Sequence, residues 1–336
     1  MNISRTPFRI SFFGGGTDYP DWYEEQGGVV LSTSINKYCY ITCRYLPPFF
    51  DHKYRIRYTK REETNTIQEI QHPSVRECLL YLQVNRGVEI AHNADLPARS
   101  GLGSSSSFTV GLLHSLYALQ GKMVSKRQLA LDAMHVEQDR VGENIGSQDQ
   151  TIAAFGGFNR ITFHKQQRIE VSPVIIDRDK LKELQNCLML FFTGFSRNAT
   201  DIAKEQIKNI PVKKKELKTM TAMTEEAIAI LCNTHDDLDN FGKLLHENWE
   251  LKRTLSSKIT NAHIDEMYET ARDAGALGGK LLGAGGGGFM LIFARPEDQL
   301  KIRERLGKLL YVPFKFQTAG SQIIFYSPGD SFTETS

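Results

Sequence analysis

Apolar and polar residues follow two different periods along the chain, and each period predicts one kind of element. Residues Val29–Cys43 alternate with a period of two and are rich in β-branched and aromatic side chains, which is typical of strands. Residues Gln128–Arg140 place apolar side chains such as Leu129 and Ala133 at helical spacing. The first half of the chain is therefore predicted to contain both strands and helices.

The same criteria predict the other regular elements. Short apolar or alternating runs predict strands at Arg9–Phe13, Tyr54–Thr59, Val88–Ala94, Cys187–Phe192, Phe289–Phe293 and Gln322–Tyr326. Helical patterns predict helices at Ser104–Ala118, at Ile202–Ile230 with a break at Pro211, at Leu238–Arg253 and at Ile264–Ala274. Strands and helices occur in blocks rather than in strict alternation. We therefore expect an α+β fold with two lobes, residues 1–170 and 171–336.

Charge and composition narrow the classes of function. The formal net charge of the 336 residues is only +2, so we expect no nucleic-acid partner. No run of about 18 apolar residues occurs, so we expect no membrane span. The segment Met1–Arg5 has no apolar run behind it, which predicts no secretory signal. Five scattered cysteines fit a reducing, cytoplasmic compartment.

The most informative segment is Pro97–Ser107, which reads Pro-Ala-Arg-Ser-Gly-Leu-Gly-Ser-Ser-Ser-Ser before an apolar helix. Gly101 and Gly103 allow backbone to approach an anion, and the first N–H groups of a helix have no internal partner. The segment lacks the Gly-Lys-Ser/Thr of a Walker A loop and the third glycine of a dinucleotide fingerprint. It predicts a phosphate site of an ATP-dependent small-molecule kinase. The alternative is a solvated serine-rich loop with a helix cap.

A second glycine-rich segment, Gly283–Gly288, matches G-x-G-x-x-G but follows a helical pattern and precedes a strand. A dinucleotide fingerprint requires the opposite order. We therefore predict that its backbone packs closely against a bound substrate or against the first glycine loop. A purely structural turn is the alternative.

Charged residues suitable for phosphoryl transfer occur near these loops. A kinase needs a group that orients the attacking hydroxyl and an oxygen ligand for magnesium, and Glu137 and Asp149 are candidates for these roles. Arg9 and Asp18 flank Gly14–Gly16, where a cation could offset phosphoryl charge and an acid could bind sugar hydroxyls. Taken singly, the first two acids could be solvated charges or helix caps, and Asp18 could be a turn residue.

Three motifs together resemble the GHMP kinase family. They are Arg5–Ile10 followed by Gly14–Tyr19, then Pro97–Ser107, and finally Lys280–Phe289, and they occur in the family's order over nearly the whole chain. The resemblance implies a two-lobed fold with nucleotide and substrate between the lobes. It also implies ATP and Mg²⁺ as cofactors.

The resemblance also implies roles for individual residues. Asp149 would be the catalytic base, Arg9 would lie beside the transferred phosphate, and Ser105 would meet magnesium together with Glu137. The nucleotide loop would consist of Pro97, Ser100, Gly101, Leu102, Gly103, Ser104, Ser105 and Ser106. The substrate would contact Gly14, Gly15, Gly16, Thr17, Asp18, Gly285 and Gly286.

The substrate is expected to be a small-molecule sugar phosphate. The Gly-Gly-Gly-Thr-Asp form at Gly14–Asp18 and the segment Thr193–Thr200 resemble the branch of the family that phosphorylates the anomeric hydroxyl of a heptose 7-phosphate, whereas galactokinases carry Glu-His where Gly15-Gly16 stand. The cations that could hold the existing phosphate are Lys37, Arg99, Arg197 and Lys204, with Arg197 and Lys37 ranked first. An L-fucose or galactose type 1-kinase and a catalytically silent sugar sensor remain alternatives. The oligomeric state is left open, a homodimer included.

Overall fold

The computed structural model describes residues 1–194 and 199–328. The strands are β1 (Asn2–Phe13), β2 (Gly28–Tyr45), β3 (Tyr54–Arg57), β4 (Arg61–Thr64), β5 (Val88–Ala94), β6 (Phe158–Phe163), β7 (Ile169–Pro173), β8 (Leu188–Phe192), β9 (Gly278–Leu281), β10 (Phe289–Phe293), β11 (Leu310–Tyr311), β12 (Phe316–Gln317) and β13 (Gln322–Tyr326). The helices are α1 (Pro20–Gln26), α2 (Pro73–Tyr81), α3 (Ser104–Leu119), α4 (Lys126–Met134), α5 (Gln148–Phe155), α6 (Arg178–Asn186), α7 (Ala199–Asn209), α8 (Lys214–Cys232), α9 (Leu238–Arg253), α10 (Ala262–Asp273) and α11 (Pro296–Arg305). Short 3₁₀ segments lie at Ile67–Glu69 and Ile210–Val212, and His135–Arg140 forms a π-helical turn.

The described strands form two sheets. The larger sheet has nine strands with the central order β13-β1-β2-β5-β3-β4, and β12 and β6 also pair with β2. The smaller sheet has the order β11-β8-β10-β9, and all of its pairs are antiparallel. Because β12 and β13 pair with β2 and β1, the end of the chain returns to the sheet that its beginning forms. The α+β class is confirmed, and the division near residue 170 stays a prediction.

Helix α3 lies at the centre of the first half. It contacts both β1 and β2, and its apolar residues Val110, Leu112, Leu113 and Leu116 are fully buried. Such burial stabilises a helix far more than its intrinsic propensity does. The packing therefore fixes the position of the serine-rich helix start. Among the described residues, no helix is both long and apolar enough to cross a bilayer.

Several elements have the bounds that the sequence predicted, and others differ for identifiable reasons. Strands β5, β10 and β13 and helix α9 match the predicted ranges. The predicted helix Gln128–Arg140 becomes α4 plus the π-helical turn, and Ile202–Ile230 becomes α7, a 3₁₀ segment containing Pro211, and α8. Helices α1, α2 and α11 were not predicted. Each begins at a proline, which is compatible with the first helical position because no N–H is needed there.

Candidate active site

A cavity of about 780 Å³ is lined by residues from both halves of the chain. Its lining includes a charged cluster, consisting of Arg9, Asp18, Asp149, Lys252 and Lys280. It also includes an aromatic cluster, consisting of Tyr58, His72, His92 and Phe108. Several residues of the glycine-serine segment Gly101–Ser106 lie in the same lining, so the three predicted motifs contribute to one site.

The glycine-serine segment places a helix start at the cavity. Gly101 and Gly103 have φ of +82° and +74°, a backbone conformation that favours glycine. Helix α3 then begins at Ser104. Its hydrogen bonds start with the N–H of Ser107, which donates to the carbonyl oxygen of Gly103. The preceding N–H groups of the first turn have no partner within the helix. They lie at the lining of the cavity, where an anion could accept their hydrogen bonds.

The two glycine loops pack backbone against backbone. A Cβ added to Gly283 would lie 2.6 Å from the Cα atom of Gly101, and one added to Gly288 would lie 2.3 Å from the carbonyl oxygen of Ser100. The N–H of Phe289 donates to that same oxygen at 3.1 Å. The prediction that the second loop packs against the first is therefore confirmed.

The later part of the second loop turns away from the cavity. The N–H of Gly286 donates to the carbonyl oxygen of Ile259 at 2.8 Å, and a Cβ added to Gly285 would lie 2.7 Å from the Cα atom of Ile259. The described lining contains Gly283 and Ala284 instead. The structure thus differs from the prediction that Gly285 and Gly286 contact the substrate, because this backbone is occupied by packing on Ile259.

Arg9 and Asp149 form a two-pronged ion pair. The Nε of Arg9 donates to Oδ1 of Asp149 at 2.8 Å, and Nη2 donates to Oδ2 at 2.9 Å. The remaining Nη1 donates to the carbonyl oxygen of Gly101 at 2.7 Å. A planar guanidinium suits this fork because its donors match the two carboxylate oxygens. The predicted base and the predicted phosphate-side cation are therefore held together against the glycine-serine segment.

Asp18 is buried beside this pair. The N–H of Gly16 donates to its Oδ1 at 2.9 Å, and a Cβ on Gly146 would lie only 2.0 Å from its Oδ2. Burial raises the pKa of Asp18, and the negative charge of Asp149 adds to this effect. The carboxyl is therefore held in a fixed position and is available to a hydroxyl in the cavity.

The turn that carries Asp18 divides the predicted sugar contacts into two groups. Gly15 and Gly16 line the cavity together with Asp18. Gly14 and Thr17 instead form the buried base of the turn, where the Thr17 hydroxyl donates to the Gly14 carbonyl oxygen at 2.8 Å. The described lining does not include these two residues.

Glu137 is fully buried at the π-helical turn and accepts three hydrogen bonds. The hydroxyls of Ser106 and Thr109 donate to it at 2.8 Å each, and the Gln150 amide donates at 2.5 Å. The hydroxyl paired with Glu137 is thus that of Ser106 and not of Ser105, which corrects the expected pairing. Ser106 and Thr109 lie three residues apart on one face of α3, whereas Ser105 is exposed on another.

The structure differs from the prediction that Glu137 meets magnesium directly, because Glu137 is not part of the described lining of the cavity and its oxygens already accept three hydrogen bonds. Burial raises the pKa of Glu137 to about 7, and the nearby charge of Glu143 adds to this effect. Glu143 and the hydroxyl of Ser105 line the cavity. Among the described residues, no group of three or more His, Cys, Asp or Glu could hold a metal ion. These oxygens nevertheless fit, because magnesium on a nucleotide needs only one or two protein ligands besides phosphate oxygens and water.

Sequence reasoning assigned no role to two buried lysines of the charged cluster. Lys252, near the end of α9, is 4% exposed, and Lys280 on β9 is 1% exposed. Burial lowers the pKa of Lys252 to about 8, and the charge of Arg9 adds to the effect. Only the neighbouring residues in the sequence could have indicated that these lysines are buried. Lys252 lies three residues after Trp249 on the buried face of its helix, and Lys280 lies between Gly279 and Leu281 in a buried strand.

The aromatic cluster was also not predicted. The His72 ring stacks on Phe108 with centroids 4.8 Å apart, and His92 meets Phe108 edge-on at 5.0 Å. Tyr58 packs edge-on against His72 at 4.8 Å. These residues come from four separate segments, so no sequence spacing indicates that they meet.

The cations predicted to hold a substrate phosphate are dispersed. Arg99 lines the cavity, whereas the described lining includes neither Lys37 on β2 nor Lys204 on α7. Arg197 lies outside the described residues.

Two residues of the predicted nucleotide loop are buried behind it. Leu102 and Ser100 are fully buried, and the carbonyl oxygen of Leu102 accepts the N–H of Arg9 at 3.1 Å. Pro97, like these two, is not part of the described lining of the cavity. The loop therefore presents mainly its glycines and serines to the cavity.

Comparison with known proteins agrees with the geometry. The family model of the GHMP kinases N terminal domain matches residues 69–157, and the model of the GHMP kinases C terminal region matches residues 225–312. A D-glycero-alpha-D-manno-heptose 7-phosphate kinase of Campylobacter jejuni is 28% identical over 91% of this chain and 93% of its own length. A galactokinase of Thermotoga neapolitana is 24% identical over 95% of this chain and 97% of its own.

A solved structure shows the same fold. The crystal structure of a D-glycero-D-manno-heptose 1-phosphate kinase from Bacteriodes thetaiotaomicron superposes with a TM-score of 0.73 at 23% identity, covering 97% of this chain and all of the other. The fold and the family matches together define an ATP-dependent phosphotransferase. The chain belongs to the GHMP kinase family, as its three motifs predicted.

Proposed function

We propose that this kinase transfers the γ-phosphoryl group of ATP to the anomeric hydroxyl of D-glycero-D-manno-heptose 7-phosphate, giving the 1,7-bisphosphate. The single observation that carries the proposal is the fork between Arg9 and Asp149, held against Gly101 at the start of α3. The heptose assignment is supported by the similarity over nearly the whole length of the Campylobacter jejuni enzyme.

In the proposed reaction the anomeric oxygen forms a bond to the γ-phosphorus while the bond from this phosphorus to the β,γ-bridging oxygen breaks. The hydroxyl proton passes to the carboxylate of Asp149. Arg9 keeps this carboxylate in position and places positive charge beside the transferring group. Because the transition state is loose and an anomeric hydroxyl is more acidic than an ordinary alcohol, positioning matters more than basicity.

The cavity offers separate surfaces for the parts of the nucleotide. The N–H groups at the start of α3 would bind phosphate oxygens, and the aromatic cluster would provide rings for the base to stack on. Ser105 and Glu143 would hold Mg²⁺ on the nucleotide, with Glu137 orienting Ser106 behind them. Bound there, magnesium would supply positive charge that offsets charge on the phosphates.

Asp18 and the glycines beside it would bind the sugar. Its buried carboxyl can accept hydrogen bonds from sugar hydroxyls, and Gly15 and Gly16 leave space where side chains would otherwise project. The lack of side chains at these two positions favours an acceptor bulkier than galactose. A galactose or L-fucose type 1-kinase is the second candidate, since a galactokinase aligns over nearly the whole chain.

The test is a comparison of acceptors with the purified protein, ATP and magnesium. Turnover is measured with heptose 7-phosphate, free heptose, L-fucose and galactose, and phosphorus NMR identifies the position that is phosphorylated. We expect heptose 7-phosphate to give the highest kcat/KM and a new anomeric phosphate. A higher kcat/KM with galactose or fucose would establish the second candidate, and no ATP turnover with any sugar would indicate a silent sensor.

A further inference from the structure

The charged cluster has more positive charge than its own carboxylates neutralise. Arg9 is occupied by Asp149. Asp18 is the other carboxylate of the cluster, and its recorded hydrogen-bond partner is the N–H of Gly16. Within the part of the chain that the structure describes, Lys252 and Lys280 lie in no ion pair. Their ammonium groups contact backbone carbonyl oxygens only.

Each ammonium group is anchored but not saturated. Lys252 donates to the carbonyl oxygen of Gly283 at 2.6 Å and, more weakly, to that of Leu281 at 3.4 Å. Lys280 donates to the carbonyl oxygen of Phe12 at 2.7 Å, its one hydrogen-bond acceptor among the described residues. An ammonium group has three N–H donors, so donors remain available on both side chains. Both residues line the cavity.

An unpaired buried ammonium group is unfavourable, and an anion that enters the cavity would relieve this cost. The phosphates of a nucleotide already have the helix start, and the transferring group already has Arg9. The two lysines come from α9 and β9 in the other half of the chain, and Gly283 and Ala284 of the second glycine loop lie in the same lining. Their position therefore suits an anionic group that belongs to the acceptor.

We propose that Lys252 and Lys280 form a second anion subsite, which binds the phosphate that the acceptor already carries. This assignment rests on the proposed function, because it requires a phosphorylated acceptor. The subsite holds the acceptor through a group that takes no part in the bond changes. Binding energy from such a group positions the reacting hydroxyl.

The test compares two acceptors that differ only in this phosphate. KM and kcat are measured for heptose 7-phosphate and for free heptose with the wild-type protein, Lys252→Met and Lys280→Met. The matched control is Lys243→Met, an exposed lysine on the same helix α9. We expect the KM for heptose 7-phosphate to rise about tenfold or more in the two buried variants, since charge-assisted hydrogen bonds to the phosphate are lost.

Values for free heptose and the KM for ATP should stay near those of the wild type, and the control should leave all of them unchanged. Equal losses for both acceptors would overturn the proposal and would indicate that the lysines act on the transferred phosphoryl group. The decisive quantity is the ratio of kcat/KM between the acceptors. That ratio does not depend on the folded fraction of a variant, because both acceptors are measured with the same protein. Lys252→Gln is a second uncharged variant, and its side chain can still donate hydrogen bonds.

A wild-type protein that phosphorylates neither heptose would contradict the proposed function but not yet the subsite. In that case calorimetry compares the binding of hexose 6-phosphates with that of their parent sugars. Tighter binding of a sugar phosphate, lost in Lys252→Met but retained in Lys243→Met, would support the subsite. If no sugar phosphate binds more tightly than its parent sugar, the subsite is wrong.

Discussion

The two sides of the cavity hold their charges in different ways. On the side formed by the first half of the chain, Arg9 and Asp149 neutralise each other through a bidentate fork. On the side formed by the second half, Lys252 and Lys280 are buried, and their hydrogen-bond partners among residues 1–194 and 199–328 are carbonyl oxygens. The Arg9–Asp149 pair is electrically neutral without a ligand. The second side would gain stability from a bound anion, which matches the proposed roles of the first side in catalysis and of the second in substrate binding.

The largest effect is expected on the neutralised side. Asp149→Asn removes the proposed proton acceptor, and loss of a general base lowers kcat by about 10²–10⁴-fold. The KM for ATP should change much less than kcat, because asparagine has the shape of aspartate and the N–H groups at the start of α3 are retained. Steady-state kinetics checks both quantities. Asp139→Asn is the control, since this exposed acid pairs with His135 on the π-helical turn and is not part of the described lining of the cavity.

Near-normal turnover in Asp149→Asn would contradict the assignment of the base. Equal losses in Asp139→Asn would instead point to a general sensitivity of this region to removal of negative charge.

A second prediction concerns the buried carboxylate behind the serines. The pKa of Glu137 in the folded protein, about 7, lies above its ordinary value of 4.5, so the folded state binds this proton more tightly than the unfolded chain. Stability from Glu137 is therefore present below about pH 4.5 and is lost as the pH rises through 7. Relative to Glu137→Gln, the wild type should lose about 2–3 kcal/mol of unfolding free energy over this range.

Urea unfolding of both proteins between pH 4.5 and 8, without nucleotide, measures this difference. A constant offset between the two curves reflects altered hydrogen bonds to Ser106 and Thr109 and is not the predicted quantity. Curves that differ only by such an offset would show that folding leaves the pKa of Glu137 unchanged, and they would contradict the prediction.

The contact between the two sides can be tested at the glycine loops. In Gly101→Ala the new Cβ would lie 2.4 Å from the carbonyl oxygen of Leu282, and φ is +82°. Gly121→Ala is the matched control, because its φ is +70° but no atom lies within 4 Å. Both variants carry backbone strain of about 1–2 kcal/mol, and only Gly101→Ala adds a clash.

Thermal unfolding should therefore show Gly101→Ala to be the less stable variant, and its KM for ATP should rise while that of Gly121→Ala does not. Equal melting temperatures would mean that the second loop moves aside without penalty, and the two sides would then be less tightly coupled than the contacts indicate.

The smallest effect is expected at the exposed serine. Ser105→Ala removes one proposed oxygen ligand of magnesium. The magnesium concentration needed for half-maximal activity should therefore rise severalfold, since one weak interaction is lost. Ser106→Ala removes the hydrogen bond that the serine hydroxyl donates to Glu137, so this variant should have a lower melting temperature than the wild type. An unchanged magnesium requirement in Ser105→Ala would remove this residue from the metal site.

Local sequence determined much of the fold and the motif-bearing side of the site. The glycines and serines of Gly101–Ser107 predict a loop that leads into a helix start, because the preferences for turns and helix starts are largely local. The alternation of β5, the continuous apolar run of β10 and the helical spacing of α9 likewise predicted their bounds. Arg9 and Asp149 could be predicted as partners only through the family resemblance, since 140 residues separate them.

Tertiary structure alone decided which groups meet. The π-helical turn and the face of α3 selected Ser106 over Ser105 as the partner of Glu137, because side-chain direction depends on helix rotation and packing. Lys280 reaches the carbonyl oxygen of Phe12 across 268 residues, and a lone lysine in an apolar strand gives no hint of this partner. The sequence thus determined the phosphate-binding segment and the family. Long-range packing determined the charge balance of the cavity, because burial and hydrogen-bond partners exist only in the folded chain.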